Sequence, residues 1–138
     1  MQSVFSIRIE NKVPAISMCR EKLLNFCRKN KISKDCMFGL LLAIDELLMN
    51  IILYGYDDDE KHFIFLELII EDKIIRTEIT DDGKPFNPCE FNIPDMNTPV
   101  ELRTPGGLGI FLAQKYVDSF EYSYIENQNV MKLVKSIF

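Results

Sequence analysis

Apolar and polar positions alternate over residues 4–9, which is typical of a half-buried strand. The following stretch instead places apolar side chains at helical spacing, with Asn11 as a candidate cap and Pro14 in a first turn, which tolerates proline. Basic Arg28 and Lys29 suit the negative end of that helix. The chain is therefore predicted to begin with a strand and an amphipathic helix.

A second helix is predicted from Ser33, its candidate cap, to about Leu53. Its residues are apolar on nearly every side, which indicates a helix that is buried in the core. Gly55 is expected to end it, and the acidic residues 57–60 then form a solvated loop that lacks the spacing of an EF-hand. We expect this helix to be the centre of the fold.

Four runs rich in β-branched and aromatic residues predict strands at residues 63–70, 74–80, 120–125 and 130–137. Short polar segments, residues 71–73 and 127–129, separate the members of each pair. Polar residues between two such runs are a hairpin signal. The sequence therefore predicts two β-hairpins.

Five of the six prolines lie between Pro85 and Pro105, and residues 84–105 show neither helical nor strand periodicity. A long irregular loop is predicted here, and a helix over residues 108–118 follows it. The resulting order is strand, helix, helix, hairpin, loop, helix, hairpin. It predicts one domain over residues 1–138 with an α+β fold, a two-layer sandwich whose mostly antiparallel (mixed) sheet is covered by helices on one face.

Composition narrows the class of protein. The 138 residues include 16 Lys and Arg against 21 Asp and Glu, a net charge of -5, and no basic patch that would hold nucleic acid stands out. No apolar run approaches the roughly 20 residues of a membrane-spanning helix, and the N-terminus lacks the pattern of a signal peptide. We therefore expect a cytoplasmic protein with reduced cysteines and with no nucleic-acid or membrane partner.

Two motifs place polar groups where a ligand could use them. Glu46 and Asn50 are four residues apart on the apolar second helix, so both project from one face, where unpaired polar groups cost free energy. Asp81 and Gly83 follow the predicted third strand; the carboxylate can accept a hydrogen bond from a ligand amine, and the glycine allows close approach to the backbone. Taken singly, the first motif also fits a solvent-facing helix edge and the second a simple turn.

The third motif is Gly106-Gly107-Leu108-Gly109, at the start of the last predicted helix. Backbone N–H groups at a helix N-terminus can bind anionic oxygens such as those of phosphates. The motif is neither a Walker A loop nor the G-x-G-x-x-G of a dinucleotide fold. By itself it is a weak signal for phosphate.

In this order and spacing, the three motifs resemble the N, G1 and G2 boxes of the GHKL (Bergerat-fold) ATP-binding superfamily. The segments that carry the resemblance are Glu46-Leu47-Leu48-Met49-Asn50, Asp81-Asp82-Gly83-Lys84-Pro85 and Gly106-Gly107-Leu108-Gly109-Ile110. Among its branches, the chain is most similar to the stand-alone anti-sigma regulatory factors with serine/threonine kinase activity. The resemblance covers essentially the whole chain.

The resemblance implies ATP and Mg²⁺ as ligands and a role for each motif residue. Asn50 would hold Mg²⁺, and Glu46 would be the catalytic base that acts on an attacking serine hydroxyl. Asp81 would accept a hydrogen bond from the adenine amino group, and Gly83 would let the base lie close. Residues 84–105 would form the ATP lid. The remaining ATP-binding residues, expected around the phosphates, are Arg103, Gly106, Gly107, Leu108 and Gly109.

Three positions depart from the family pattern or have no role in it. The best-known anti-sigma kinases carry a single Gly-x-Gly where this chain has Gly106-Gly107-Leu108-Gly109. Tyr54 stands where many relatives carry a histidine, and His62, the only histidine, is interpreted as a surface residue, because the sequence shows no partner that a catalytic histidine would need. These departures leave kinase activity and the sigma-factor partner open, whereas ATP binding is expected.

The resemblance implies a regulator of transcription that phosphorylates a serine or threonine of a small antagonist protein and sequesters a sigma factor. The alternative is an ATP-responsive binding module without kinase activity. The ATP domain of a sensor histidine kinase is disfavoured, because no helical segment with a phosphoacceptor histidine precedes the first strand. Members of this branch often pair as homodimers, for which an exposed first strand is a candidate edge.

Overall fold

The structure, a computed structural model, describes residues 2–90 and 107–137. The strands are β1 (Ser3–Glu10), β2 (Phe63–Glu71), β3 (Ile74–Asp81), β4 (Ser119–Ile125) and β5 (Gln128–Ser136). The helices are α1 (Pro14–Lys29), α2 (Lys34–Tyr54) and α3 (Gly107–Tyr116), and a short 3-10 turn lies at Pro88–Glu90. All the predicted strands and helices are therefore confirmed in the predicted order.

The strands form one sheet in the order β1-β2-β3-β5-β4. Each of its four pairings is antiparallel, so the described sheet contains no parallel pair and is not mixed. The reason is that β4 lies at the far edge, and a tight turn brings β5 back between β3 and β4. The antiparallel α+β sandwich is confirmed, and β1 lies at the opposite edge of the sheet.

One face of the sheet carries the core. In β2, Ile64, Leu66 and Leu68 are buried, whereas the alternate residues Phe65 and Glu67 are exposed. This period of two is typical of an antiparallel sheet with one solvated face. The buried strand residues join residues of α1 and α2 in a single apolar cluster, to which the buried thiols of α1 also belong. The helices therefore cover one face, as predicted.

Helix α2 is the central helix. Ser33 caps it, since its Oγ accepts a hydrogen bond from the Cys36 N–H at 3.2 Å, and Gly55 follows its last turn. Nine of its 21 residues are buried, among them Leu48, which is fully enclosed. With a mean hydropathy of 2.0, this helix is long and apolar enough to cross a membrane by length and composition, contrary to the expectation from the sequence. In this fold, its buried residues pack in the core instead.

The entry to α1 differs from the prediction. No side chain caps the N-terminus of this helix; the Asn11 carboxamide oxygen instead accepts the backbone N–H of His62 at 2.9 Å. The Asn11 N–H also donates to the carbonyl of His62, so this residue pairs with the start of β2. Pro14 in the first turn and Arg28 and Lys29 in the last turn are confirmed.

Both hairpins turn on two residues with left-handed backbone conformation. These are Asp72 and Lys73, at φ 51° and 66°, and Glu126 and Asn127, at φ 51° and 64°. Two-residue turns of this kind match the twist of the flanking strands. The predicted turn at residues 127–129 is therefore displaced, and Asn129 belongs to β5.

Candidate functional site

A cavity of about 300 Å³ opens between the C-terminal half of α2 and the chain that leaves β3. Two motif residues, Asn50 and Asp81, reach it from these two elements. The lining is Leu47, Asn50, Ile51, Tyr54, Gly55, Asp81, Lys84, Pro85, Phe86, Pro88, Asn129 and Met131. A mostly apolar cavity with a few polar groups is typical of a small-molecule site.

Asp81 is the last residue of β3 and is only 5% exposed. Its Oδ1 accepts hydrogen bonds from the Gly83 N–H at 2.8 Å and from Asn129 Nδ2 at 3.0 Å. Burial raises the pKa of this carboxyl above its ordinary value of 3.8, although the two hydrogen bonds act in the opposite direction. A ligand amine that donates to the carboxylate would offset the cost of its burial.

Gly83 is required by the close approach of two backbone segments. A Cβ at this position would lie 2.7 Å from the carbonyl oxygen of Gly55, and the Lys84 N–H donates to the same carbonyl at 2.8 Å. The glycine therefore lets the turn after β3 pack against the end of α2. Its contact with a nucleotide base stays a prediction.

Asn50 lies on the face of α2 that meets the cavity and is 9% exposed. Its Nδ2 has no hydrogen-bond partner among the residues that the structure describes. A buried polar group left unsatisfied costs about 1–3 kcal/mol. A ligand in the cavity can satisfy this amide, and an amide oxygen is a suitable Mg²⁺ ligand. Asn50 and Asp81 thus fit a nucleotide with Mg²⁺.

Glu46 lies one turn before Asn50, and its carboxylate packs against Gly109 of α3 so closely that a Cβ at Gly109 would overlap it. Burial, and to a lesser extent the charge of Asp45, raises the pKa of Glu46 above its ordinary value of 4.5. A raised pKa suits a carboxylate that takes up a proton. Asp45 is engaged elsewhere, in an ion pair of 2.6 Å with Arg20 of α1.

The last glycine motif starts α3. The helix begins at Gly107, so Leu108 and Gly109 belong to its first turn, and Gly109 lies beside Glu46. The first N–H groups of a helix have no partner within the helix and favour anions. Arg103 and Gly106 lie outside the described residues, and so do residues 91–105 of the expected lid. The roles of Arg103, Gly106 and the lid therefore stay predictions.

Asn129 was not predicted to belong to the site. It is 5% exposed, and its Nδ2 contacts Asp81 and the carbonyls of Gly83 and Lys84. Its position in the sequence suggested a turn, and only the pairing of β3 with β5 shows that it lies opposite Asp81.

His62 has two carboxylate partners that the sequence analysis did not identify. Its Nε2 lies 2.8 Å from Asp58 Oδ1, and its Nδ1 lies 3.3 Å from Asp82 Oδ2. The ring stacks on Tyr56, with 4.2 Å between ring centroids. The hydrogen bond with Asp58, above all, raises the pKa of His62 above 6.5. The acidic residues 57–60, shortly before His62 in the sequence, were the signal from which this pairing could have been found.

The sequence profile of the histidine kinase-like ATPase domain matches residues 9–135, nearly the whole chain. The chain belongs to this family. Membership confirms the GHKL resemblance, and a family of ATPase domains implies ATP binding. The positions of Asn50 and Asp81 in one cavity agree with a histidine kinase-like ATPase domain.

Individual relatives of this ATPase domain share only about a quarter of their residues with it. The serine-protein kinase RsbW of Bacillus mycoides is 25% identical over 132 residues, which cover 90% of this chain and 82% of the relative. The anti-sigma F factor of Geobacillus thermodenitrificans is 27% identical over 119 residues, which cover 86% of this chain and 78% of the relative. Each alignment therefore covers most of this chain and most of the relative.

A crystal structure of the RsbU and RsbW domains of a Mycobacterium tuberculosis protein superposes with a TM-score of 0.69 at 14% identity. The superposition covers 98% of this chain and 32% of that longer protein. At this identity, the similarity establishes the fold alone, and the fold is that of the ATPase domain.

Proposed function

We propose that this ATPase domain is an ATP-binding anti-sigma regulator that phosphorylates a serine or threonine of a small antagonist protein. The observation that carries the proposal is that Asn50 and Asp81 line one cavity, and that the buried Asn50 Nδ2 has no hydrogen-bond partner among the described residues. The relatives named serine-protein kinase RsbW and anti-sigma F factor support the same function.

The residues would divide the work as follows. ATP with Mg²⁺ supplies the phosphoryl group when bound. Asp81 would accept a hydrogen bond from the adenine amino group, and Asn50 would hold the metal. Glu46, whose pKa is raised by burial, would take up the proton of the serine hydroxyl. The phosphates would lie at the first turn of α3, where Arg103 and Gly106 would add further contacts.

The proposed partners are proteins: a sigma factor that the domain sequesters and the antagonist that it phosphorylates. An acidic chain with a net charge of -5 is ill suited to nucleic acid, and no membrane partner is proposed. The proposed location is the cytoplasm. A homodimer through the edge strand β1 stays a prediction, which sedimentation equilibrium of the full chain would test.

The first experiment is calorimetric titration of the full chain with ATP and with GTP, each with Mg²⁺. We expect ATP to bind and GTP to be rejected, because GTP carries a carbonyl where Asp81 requires a donor. If neither nucleotide binds, the proposed function is wrong, and the domain acts through protein contacts alone.

Kinase activity is tested with Glu46→Gln, with labelled ATP and a partner protein that co-purifies with the chain. The variant should bind ATP as the wild type does and transfer no phosphate. Glu21→Gln is the matched control, because it makes the same chemical change at an exposed glutamate of α1. Equal transfer by wild type and Glu46→Gln would show that Glu46 is not the base.

One observation favours the second candidate, an ATP-responsive binding module. Glu46 packs against Gly109 and is not among the described residues that line the cavity of Asn50 and Asp81. A wild-type chain that binds ATP tightly and retains its protein partner, yet labels no protein, would support the binding module over the kinase.

A further inference from the structure

A single buried side chain, absent from the three motifs, holds the turn that follows β3. Asn129 lies directly opposite Asp81 in the pairing of β5 with β3. Its Nδ2 donates to Asp81 Oδ1 at 3.0 Å, to the Gly83 carbonyl at 3.2 Å and to the Lys84 carbonyl at 2.9 Å. Two amide hydrogens are thus shared among three acceptors.

The other end of the amide is also occupied. Asn129 Oδ1 accepts the backbone N–H of Phe86 at 3.1 Å and the hydroxyl of Tyr122. An amide oxygen has two lone pairs and an amide nitrogen two hydrogens, so the protein uses the whole hydrogen-bonding capacity of this side chain. Although Asn129 borders the cavity, its effect on a ligand must therefore act through the groups that it holds.

The most consequential of these groups is the Asp81 carboxylate. Both of its recorded donors, Gly83 and Asn129, bond to Oδ1. Oδ2 receives no hydrogen bond from the part of the chain that the structure describes, and Asp81 lines the cavity. Asn129 and the Gly83 N–H together therefore restrain the rotation of the carboxylate and leave one oxygen to accept a hydrogen bond from a ligand.

The same amide also holds the chain that leaves Asp81. Lys84 and Phe86, which line the cavity, are tied to Asn129 through a carbonyl and an N–H. The Asn129 side chain thus holds both the Asp81 carboxylate and the backbone of Lys84 and Phe86, which line the same cavity.

We propose that Asn129 is a positioning residue for base recognition: by orienting Asp81, it makes the cavity selective for a purine that carries an exocyclic amino group at the position facing the carboxylate. This inference rests on the proposed ATP-binding function. It adds a specificity determinant that lies 48 residues from Asp81 along the chain.

The test compares the affinities of the full chain for ATP and for inosine triphosphate, which has a carbonyl in place of the adenine amino group. Calorimetry with Mg²⁺ would be done on wild type, Asn129→Ala, Asn129→Leu and Tyr122→Phe. Asn129→Leu keeps a side chain of similar size without donors. Tyr122→Phe removes one bond to Oδ1 and keeps every bond made by Nδ2.

We expect the preference for ATP over inosine triphosphate to fall about tenfold or more in Asn129→Ala and Asn129→Leu, because a rotating carboxylate no longer penalises the carbonyl. Tyr122→Phe should keep the wild-type ratio. A merely structural role would lower the affinities for both nucleotides equally and leave their ratio unchanged.

Three results would overturn the inference: a folded Asn129 variant with the wild-type ratio, an equal loss of the ratio in Tyr122→Phe, or failure of both Asn129 variants to fold. The last result would show that Asn129 serves the stability of the fold. A wild-type chain that binds neither nucleotide would instead reject the proposed ATP function, so the two failures are distinguishable.

Discussion

At the scale of single residues, Asn50 and Asp81 are both buried in the same cavity but are satisfied to different degrees. Asp81 has two protein donors on one oxygen, whereas the Nδ2 of Asn50 has no partner in the described part of the chain. Burial without a partner lowers the stability of the fold. Of these two residues, Asn50 therefore gains more from a ligand that bonds to its side chain.

Replacing Asn50 with leucine should separate stability from binding. We expect the free energy of unfolding to stay equal or to rise by about 1 kcal/mol, because an unsatisfied donor is removed. Affinity for ATP with Mg²⁺ should fall at least about tenfold, since the proposed metal ligand is lost. Urea denaturation and calorimetry measure the two quantities.

Thr77→Val is the matched control for that variant. The Thr77 hydroxyl is the other buried polar group without a described partner, and it lies within β3 at 2% exposure. Its removal should leave ATP affinity unchanged. If Asn50→Leu keeps wild-type affinity for ATP with Mg²⁺, Asn50 has no part in the site.

Gly109 leaves the space that the Glu46 carboxylate occupies. Gly109→Ala should favour the α3 helix by up to about 1 kcal/mol, but its Cβ would overlap the Glu46 carboxylate and displace it. We expect a folded protein that binds ATP and transfers phosphate about a hundredfold more slowly. Thermal melting, calorimetry and initial rates of phosphotransfer check the three parts.

Lys115→Ala is the control for Gly109→Ala, because Lys115 is exposed near the end of the same helix. Its rate of phosphotransfer should equal that of the wild type. An undiminished rate in Gly109→Ala would mean that the position of the Glu46 carboxylate does not limit the reaction.

At the scale of elements, α2 carries both Glu46 and Asn50. The packing of this helix in the core therefore determines where these two side chains lie. The helix is secured at both ends: the Ser33 side chain accepts the Cys36 N–H, and the Gly55 N–H donates to the Ile51 carbonyl. Two anchored ends limit fraying of the helix that holds the proposed catalytic base, Glu46, and the proposed metal ligand, Asn50.

The N-terminal anchor of α2 can be tested directly. Ser33→Ala should lower the free energy of unfolding by about 1 kcal/mol, because the cap hydrogen bond is lost. Ser17→Ala, an exposed position within α1, should not lower it. Urea denaturation of both variants decides the matter, and equal stability of Ser33→Ala and wild type would refute the capping role.

At the scale of the whole molecule, distant segments meet at the end of β3. The Lys84 N–H donates to the Gly55 carbonyl, and the Lys84 ammonium lies 2.8 Å from an oxygen of Asp57. His62 links Asp58 of the same loop to Asp82. The loop after α2 is thus held against the turn that contains the proposed base-recognition site.

This junction predicts a pH dependence of stability. The pKa of His62 is raised above 6.5, so its contribution is fully present below about pH 6.5 and is lost as the pH rises through the raised value. The pKa of Asp58 is lowered below 3.8 by the hydrogen bond with His62, so its contribution is lost only when the pH falls through that lowered value. The pair stabilises the protein between these limits.

We expect the wild type to be more stable than His62→Gln at about pH 5.5 and to lose most of that advantage at about pH 9. Urea denaturation at the two pH values measures the difference, and NMR titration of the only histidine gives its pKa directly. A difference that is the same at both pH values would rule out the charged pair.

The sequence by itself determined the elements of this protein, because each depends on residues close together in the chain. The alternation in β1, the apolar α2, its Ser33 cap and its Gly55 end could all be predicted. The same holds for the spacing of Glu46 and Asn50 on one helix face, since four residues make about one turn. The resemblance to the GHKL superfamily followed from the order of three local motifs, and the match of the family profile confirmed it.

Only the tertiary structure decided which residues meet around the cavity. Asn129 reaches Asp81 across 48 residues, and His62 reaches Asp82 across 20, through contacts that strand register and loop packing create. The displaced turn at Glu126 and Asn127 moved Asn129 from a loop into β5. Such contacts depend on how elements pair in space, and a one-residue change of register reverses which face each side chain occupies.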